Sequence, residues 1–407
     1  MSILKSSNIA AAFVRGGFHT IRFIERSAHG KPRPGIDDLR RVRRFLFLEY
    51  SPALGTSVHT TPIFEALKKA VPDAVTMVAC SQTAFEVFRH NSFIDYLVET
   101  PRPPVSPLHA VRSLREHLKA MRFAPEIIVT SKGNGQRSIA MLALFAGAAI
   151  RFGYTLAPEL YDVVLRPDCH RSLIDNNLNV IERLGYQVDA PEPRVAFGLE
   201  DLEYAYRLLQ SADANQPRIA FITQTSPTQR KSWPADRFVS VANHLTLVHG
   251  GCVVFLGTDE EAAAIEAIRA GVQGDTVSLA GKTTISQVAA TLSLCDYAVT
   301  LDTGNMHVGR SVGLPMVILA PAWQPVIEWL PLGFDQYRIL KGSDVPQATP
   351  DYVMDEMSVE EVIAEFDDLF ASYPVSLQSR EHRIQRSLAR VSTESRREFS
   401  KPGRTSV

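Results

Sequence analysis

One stretch in the second half of the chain carries side chains that suit a phosphate group. Residues 224–231 have the sequence QTSPTQRK and follow the apolar run 218–222, which is typical of a buried parallel strand. Thr225, Ser226 and Lys231 place two hydroxyl groups and a cation directly after that strand. Because ligands of open α/β sheets bind at the carboxyl ends of the strands, these side chains are candidates for phosphate contact.

A second stretch, LDTGNMH at residues 301–307, follows another apolar run. Asp302 or Thr303 can cap a helix, and Gly304 permits a ligand to approach the backbone closely. A helix that begins here presents unpaired N–H groups and the positive end of its dipole to an anion. Many α/β proteins have such a turn without a ligand, so the local pattern alone leaves both interpretations open.

Short apolar runs alternate with helical patterns along most of the chain. This alternation predicts an α/β protein with doubly wound parallel sheets, whose ligands bind at the carboxyl ends of the strands. No G-x-G-x-x-G follows the first strand of either half, which argues against a dinucleotide-dependent oxidoreductase. The predicted strands include 45–49, 75–79, 96–98, 126–130, 218–222, 253–256, 297–301 and 316–320.

Length and composition describe a globular chain of more than one domain. The 407 residues are 45% hydrophobic and 21% charged, and the four cysteines are widely spaced without a C-x-x-C pair. Three of the cysteines lie in or beside apolar runs, which predicts buried thiols in a reducing compartment. No stretch has the spacing of a metal-ligand motif, so we expect no metal at the site.

Three separated motifs resemble those of the glycosyltransferase family 9 heptosyltransferases. Residues 302–307 resemble the signature D-(S/T)-G-x-x-H of that family, and residues 225–234 resemble its diphosphate loop, T-(T/S)…K-x-W-P. Residues 54–62, LGTSVHTTP, resemble its opening motif L-G-D-x-x-H-T-x-P. The resemblance extends over roughly residues 44–373.

The resemblance implies two facing Rossmann-like domains of the GT-B type, with basic N- and C-terminal extensions. The expected organisation has five parts. They are a basic amphipathic extension (1–43), an acceptor-side domain (44–192), a nucleotide-sugar-binding domain (193–356), a helix packing back on the first domain (357–372) and a basic, exposed tail (373–407).

The activity that the resemblance implies is inverting transfer of a heptose or similar sugar from an ADP-sugar to a lipopolysaccharide-core or related saccharide. The donor is a substrate, and no cofactor is expected. Lys231 is expected to stabilise charge on the leaving diphosphate. An acidic residue after the strand at 253–256 is expected to bind the ribose or base; Asp259, Glu260 and Glu261 all qualify, and we assign Glu260. The expected donor-binding residues are Thr225, Ser226, Lys231, Glu260, Asp302, Thr303, Gly304 and His307.

One departure from the family pattern concerns the catalytic base. Thr56 stands where the family keeps an aspartate that is proposed to take the proton of the acceptor, and a threonine hydroxyl is a very poor base near neutral pH. Glu49 and His59 are the nearest titratable substitutes. The alternative is a catalytically silent homologue that still binds a nucleotide sugar.

The acceptor is expected to dock on the first domain. The loop SKGNGQRS at residues 131–138 is cationic and follows a predicted strand, which suits an anionic saccharide. It resembles the loop of the family that lies near the acidic sugar of the acceptor. Thr56, Lys132 and Arg137 are therefore the expected acceptor-binding residues.

The two ends of the chain are basic, although the net charge is −1. Residues 1–44 hold ten Lys or Arg against three Asp or Glu, and residues 373–407 hold eight against three. Because the net charge is nevertheless close to zero, the residues between the two ends are acidic. An acidic central region argues against nucleic-acid binding, whereas basic ends suit an anionic membrane surface. We therefore expect a cytoplasmic protein with a peripheral position on the inner face of the cytoplasmic membrane. An organelle transit peptide is an alternative reading of the N-terminus.

Overall fold

The computed structural model describes residues 34–213, 215–225, 231–349 and 352–389. Within them the chain forms two six-stranded parallel sheets, with strand orders β3-β2-β1-β4-β5-β6 and β12-β11-β10-β7-β8-β9. In chain order the strands are β1 Arg44–Glu49, β2 Val75–Cys80, β3 Tyr96–Glu99, β4 Ile127–Thr130, β5 Ile150–Tyr154, β6 Val163–Leu165, β7 Arg218–Ile222, β8 Cys252–Phe255, β9 Thr276–Ser278, β10 Tyr297–Leu301, β11 Met316–Ala320 and β12 Tyr337–Lys341.

Helices cover both sheets, as the alternating pattern predicts. The α-helices are α1 Ile36–Arg40, α2 Leu54–Ala70, α3 Gln82–Phe88, α4 Pro107–Ala120, α5 Arg137–Phe145, α6 Leu173–Arg183, α7 Leu199–Leu208, α8 Ala235–Leu247, α9 Ala262–Arg269, α10 Ile285–Leu294, α11 Gly304–Val312, α12 Val326–Trp329, α13 Val359–Ser372 and α14 Leu377–Ser387. The α/β class and the pair of Rossmann-like sheets are confirmed. None of the described helices is long and apolar enough to cross a membrane.

Each sheet has a switch point at which the order of its strands reverses. In the first sheet β1 pairs with both β2 and β4, and in the second β7 pairs with both β8 and β10. Successive connections therefore leave on opposite sides of the sheet and open a crevice at the carboxyl ends of β1 and β4, and of β7 and β10. Apart from Glu260, which follows β8, the candidate site residues lie at or after the ends of these four strands.

Helix α2 contains a proline away from its first turn. It begins at Leu54 and continues through Pro62 to Ala70. Proline removes the N–H that would bond to the carbonyl of Val58. The Thr61 hydroxyl donates to that carbonyl at 2.7 Å instead, so the helix continues past the proline.

Helix α13 corrects one expectation about domain organisation. The helix at 357–372 does not pack back on the first domain; α13 packs on α8, β11 and β12 of the second. Its buried side chains Val362, Phe366 and Leu369 join the apolar cluster of that sheet. The ring of Phe366 lies 5.4 Å from that of Tyr297 in β10.

The segment after α13 is also not a simple exposed tail. Residues 377–387 form α14, which packs on α10 and α11. The guanidinium of Arg380 pairs with the buried carboxylate of Asp296 at 2.8 and 2.5 Å, and Arg383 lies 3.6 Å from it. Part of the predicted basic tail is thus internal. Residues 1–33 and 390–407, which carry the rest of the predicted extensions, lie outside the described residues.

The pair between Asp296 and Arg380 should be a strong determinant of stability. Replacing Asp296 by Asn leaves two buried guanidinium groups without their carboxylate, which we expect to lower the free energy of unfolding by about 3–5 kcal/mol. The measurement is urea denaturation. The control is Asp368→Asn, which breaks an exposed pair with Arg338 and should cost about 1 kcal/mol or less. Equal effects of the two substitutions would contradict the assignment.

Candidate active site

The two predicted phosphate-binding stretches meet in the fold. Lys231 is buried, and its Nζ donates to Asp302 twice, to the backbone carbonyl at 3.0 Å and to Oδ2 at 2.9 Å. Since β7 and β10 are parallel neighbours, the segments that follow them emerge side by side. Asp302 therefore does not cap α11; Thr303 occupies the N-cap position. Lys231 and Asp302 join the loop to the turn.

Two helix starts face each other beside this ion pair. Helix α11 begins at Gly304, and a Cβ there would lie 2.7 Å from Cβ of Leu54, the first residue of α2. A Cβ on Gly55 would lie 2.5 Å from the His307 ring, so both glycines permit the close approach. No side chain caps either helix, and the Thr303 hydroxyl has no hydrogen-bond partner among the described residues. Two uncapped helix N-termini concentrate positive potential at one place.

Two buried histidines and a half-buried tryptophan form a cluster between the domains. The His59 ring lies 4.3 Å from the His307 ring and stacks on Trp329 at 5.7 Å, centroid to centroid. Both ring nitrogens of His59 and Nδ1 of His307 have no hydrogen-bond partner among the described residues. Buried polar atoms are normally paired, so these three nitrogens are candidates for contact with a ligand.

Burial sets the protonation of both histidines. Desolvation, with a smaller contribution from the neighbouring His307, holds the pKa of His59 well below its ordinary value. Desolvation likewise lowers the pKa of His307 to about 4, although the carboxylate of Asp302 acts in the opposite direction. His307 is therefore neutral at pH 7, and its contact with Asp302 at 3.7 Å is not an ion pair. A neutral imidazole retains one lone pair that can accept a proton.

Glu49 lies at the carboxyl end of β1, fully enclosed. Its Oε2 accepts from Ser131 at 2.9 Å and from Asn134 at 2.7 Å, and its Oε1 has no partner among the described residues. Burial raises the pKa of Glu49 to about 8, although these hydrogen bonds act against the shift. The side chain is therefore mostly protonated at pH 7.

The expected acceptor residues lie along the same edge of the first sheet. Thr56 is buried in the first turn of α2, and its methyl group faces Gly133. The ammonium group of Lys132 pairs with Glu328 in α12, across the gap between the domains. Arg137 is exposed at the start of α5. Only Lys132 of the three makes a charged contact with the second domain.

The remaining predicted donor-binding residues are Thr225, Ser226 and Glu260. Thr225 follows β7, and Ser226 lies outside the described residues. Glu260 is exposed in the turn after β8, and Glu261 beside it accepts from the Thr258 amide at 2.8 Å. The structure brings together Lys231, Asp302, Thr303, Gly304, His307 and His59. Glu260 and Arg137 make no described contact with that group.

Several residues that contact the site are not among the predicted site residues. Trp329 and Glu328 come from α12, a helix of four residues. Asn177 of α6 accepts from the Lys132 amide at 2.9 Å and donates to the His59 carbonyl at 3.2 Å, and so joins two predicted segments. The ring of Trp323 lies 5.8 Å from Nζ of Lys231. Only the fold reveals these contacts, because each crosses between distant parts of the chain.

Comparison with known proteins identifies the family of the chain. The family model for Glycosyltransferase family 9 (heptosyltransferase) matches residues 111–326, more than half of the chain. Lipopolysaccharide heptosyltransferase 3 of Escherichia coli is 23% identical over 286 residues, covering 67% of this chain and 83% of that protein. The fold and the site define a glycosyltransferase. The chain belongs to glycosyltransferase family 9, the heptosyltransferase family.

Solved structures share the fold over most of the chain. A glycosyltransferase family 9 protein from Veillonella parvula superposes with a TM-score of 0.74 at 22% identity, covering 81% of this chain and 98% of that one. Escherichia coli ADP-heptose lps heptosyltransferase II superposes with a TM-score of 0.66 at 18% identity, covering 81% and 99%. These likenesses confirm the two-domain GT-B type architecture.

The enclosed carboxyl of Glu49 should make stability depend on pH. Its pKa is raised from 4.5 to about 8, so the folded protein holds a proton that the unfolded chain releases between these values. The free energy of unfolding therefore falls as pH rises through that window, by at most about 1.4 kcal/mol per pH unit. Urea denaturation across the window should show this extra slope in the wild type relative to Glu49→Gln. Identical slopes would contradict the assigned protonation.

Proposed function

We propose that the protein transfers a heptose or similar sugar, with inversion, from an ADP-sugar to a lipopolysaccharide-core or related saccharide. The observation that carries the proposal is the ion pair of Lys231 with Asp302 beside the starts of α2 and α11. The names of the relatives supply the substrate class: one is a lipopolysaccharide heptosyltransferase, and another is described with ADP-heptose.

The arrangement suits a leaving nucleoside diphosphate. As the bond from the sugar to the phosphate breaks, negative charge grows on the oxygen that leaves. Lys231, the unpartnered hydroxyl of Thr303 and the amides at the start of α11 offer donors fixed in advance. Such donors lower the barrier because they need no rearrangement during the reaction. Thr225 and Ser226 precede Lys231 in the sequence and are proposed to contact the same diphosphate, and no cofactor enters this account.

His59 is the better of the two candidate bases. A base must be deprotonated at the working pH, and Glu49 with a pKa of about 8 is largely protonated at pH 7. The depressed pKa of His59 keeps its ring neutral there, and neither ring nitrogen has a hydrogen-bond partner among the residues that the structure describes. His59 also lies against His307, which is one of the expected donor-binding residues. We therefore assign proton abstraction to His59 and a supporting role to Glu49.

The acceptor enters from the first domain in this proposal. Lys132 and Arg137 offer cations to an acidic saccharide, and the pair between Lys132 and Glu328 lies where the two domains meet. An anionic acceptor would compete with Glu328 for Lys132. Nucleic acid is not among the partners we propose. A peripheral position on an anionic, cytoplasmic membrane face remains part of the proposal and rests on the basic ends of the sequence.

The nucleotide sugar can be tested by thermal shift. Selective binding to the folded state raises Tm, so we expect ADP-heptose and ADP to raise it more than UDP-sugars, AMP or free sugar. The same panel on Lys231→Ala should give a smaller shift. Lys119→Ala, which removes an exposed lysine of α4, should behave as the wild type. Equal shifts with UDP-sugars would contradict the assigned donor.

Replacing Lys231 should slow sugar transfer, because the variant loses one charge-assisted contact to the leaving diphosphate. We expect kcat/KM for ADP-heptose to fall in Lys231→Ala by about 1.5–3 kcal/mol in transition-state stabilisation, roughly 10- to 150-fold. The assay is single-turnover transfer below the Tm of the variant. Unchanged turnover would remove Lys231 from the site.

The pH–rate profile separates the two bases. With His59 as base, log kcat/KM should be flat from about pH 6.5 upward, because the ring is already neutral. With Glu49 as base it should climb to about pH 8. His59→Gln should lose activity, whereas Glu49→Gln and the exposed control His109→Gln should retain it. A climbing profile that Glu49→Gln abolishes would reverse the assignment.

A silent nucleotide-sugar-binding homologue is the second candidate, favoured by Thr56 in place of aspartate. Thr56→Asp distinguishes the two, because it restores a carboxylate of similar volume beside Gly133. If the wild type binds ADP-heptose without transfer and Thr56→Asp transfers, the silent homologue is correct. If the wild type transfers the sugar, it is not.

A further inference from the structure

A cluster of metal-ligating side chains lies away from the cleft. His244 is in the last turn of α8, His249 follows that helix, and Asp367 is in α13. Helix α8 runs from the carboxyl ends of the strands in the second sheet back to their amino ends, where β8 begins at Cys252. The cluster therefore lies at the amino ends of these strands, whereas the active site lies at their carboxyl ends. The chemistry of sugar transfer does not use it.

The three ligand atoms converge on a small volume. Nε2 of His244 lies 3.0 Å from Oδ1 of Asp367, Nε2 of His249 lies 2.7 Å from the same oxygen, and the three atoms are all within 4.8 Å of one another. Tetrahedral Zn²⁺ with bonds of about 2.0–2.2 Å holds ligand atoms roughly 3.3 Å apart. To match that spacing, the two distances to Asp367 must lengthen by about 0.3 and 0.6 Å, and the two imidazole nitrogens are no more than 4.8 Å apart.

The surroundings hold the ligands in this orientation. The His249 ring packs against Phe366 and Phe370, with centroids at 5.6 and 4.4 Å. The neighbouring acids on α13 are engaged elsewhere, since Glu365 and Asp368 both pair with Arg338. Asp367 is left to the two imidazoles. Burial disfavours its charge, but hydrogen bonds from His249 and His244 outweigh this and keep its pKa below the ordinary value.

We propose that His244, His249 and Asp367 bind one Zn²⁺ ion that joins α8 to α13. Two imidazole nitrogens and one carboxylate oxygen are a donor set that suits Zn²⁺ better than Mg²⁺ or Ca²⁺. The partly exposed position leaves water as the fourth ligand. The other ends of the same two helices are already joined, because Arg237 and Trp233 donate to the carbonyl of Met357 just before α13. The ion fixes the helix at its second end.

The sequence could not show this site. Asp367 lies 123 residues after His244, and two histidines five positions apart form no zinc motif by themselves. Helix α13 was also expected on the other domain. Only its packing on the second sheet brings the carboxylate to the imidazoles.

The test is zinc binding by the full chain after removal of any affinity tag. Chelator-treated protein is dialysed against Zn²⁺ and metal content is measured by mass spectrometry. We expect one ion per chain that Mg²⁺ does not displace, and a Tm that rises with Zn²⁺. His249→Gln and Asp367→Asn preserve hydrogen bonding but remove a ligand, so affinity should fall at least about tenfold. Asp368→Asn, the adjacent acid, should keep the wild-type affinity.

Co²⁺ gives a second readout that needs no variant. Tetrahedral Co²⁺ absorbs visible light strongly, and we expect that spectrum on titrating the wild type and its loss on adding Zn²⁺. If the wild type gives no such spectrum, or binds no more Zn²⁺ than Asp367→Asn, the three side chains are only hydrogen-bonded and the proposal is wrong.

Discussion

The contact between Lys231 and Asp302 is the interaction on which the active-site geometry depends. Both side chains are buried, and each would be costly to enclose alone. Their pairing fixes the end of one loop against the turn before α11. The start of α2 then packs onto the same turn through Gly55 and Gly304. One ion pair thus positions a cation, two helix N-termini and a histidine cluster together.

The domains are held together by more than this site. The largest apolar cluster of the described residues runs from the first sheet into the second. A linker, residues 184–198, joins α6 to α7. Arg310 of α11 forms two hydrogen bonds with Glu192 of this linker, at 3.0 and 3.2 Å. After α14 the chain returns to that linker, where Phe197 and Leu388 form a parallel bridge. These contacts explain why His59 of one domain can lie against His307 and Trp329 of the other.

Much of the fold was predictable, because the spacing of apolar residues and the polar residues that follow each strand can be read from short stretches of the sequence. The runs at 218–222 and 297–301 predict buried parallel strands, and the resemblance assigns the polar residues after both of them to one donor. The position of α13 was not predictable, since an amphipathic helix can cover either sheet. Nor was the burial of Arg380, whose partner Asp296 lies 84 residues away. The sequence could not decide whether Glu49 or His59 is the catalytic base, because the protonation state of each depends on its burial, which the sequence does not show.

The most direct test of the account is calorimetric titration of ADP and AMP into the wild type and Lys231→Ala. If the ion pair and the helix starts form a diphosphate site, ADP binds the wild type at least about tenfold more tightly than AMP, a difference of about 1.4 kcal/mol. That preference then shrinks or disappears in the variant. Equal affinity for ADP and AMP in the wild type, or a preference that Lys231→Ala leaves intact, would contradict the account.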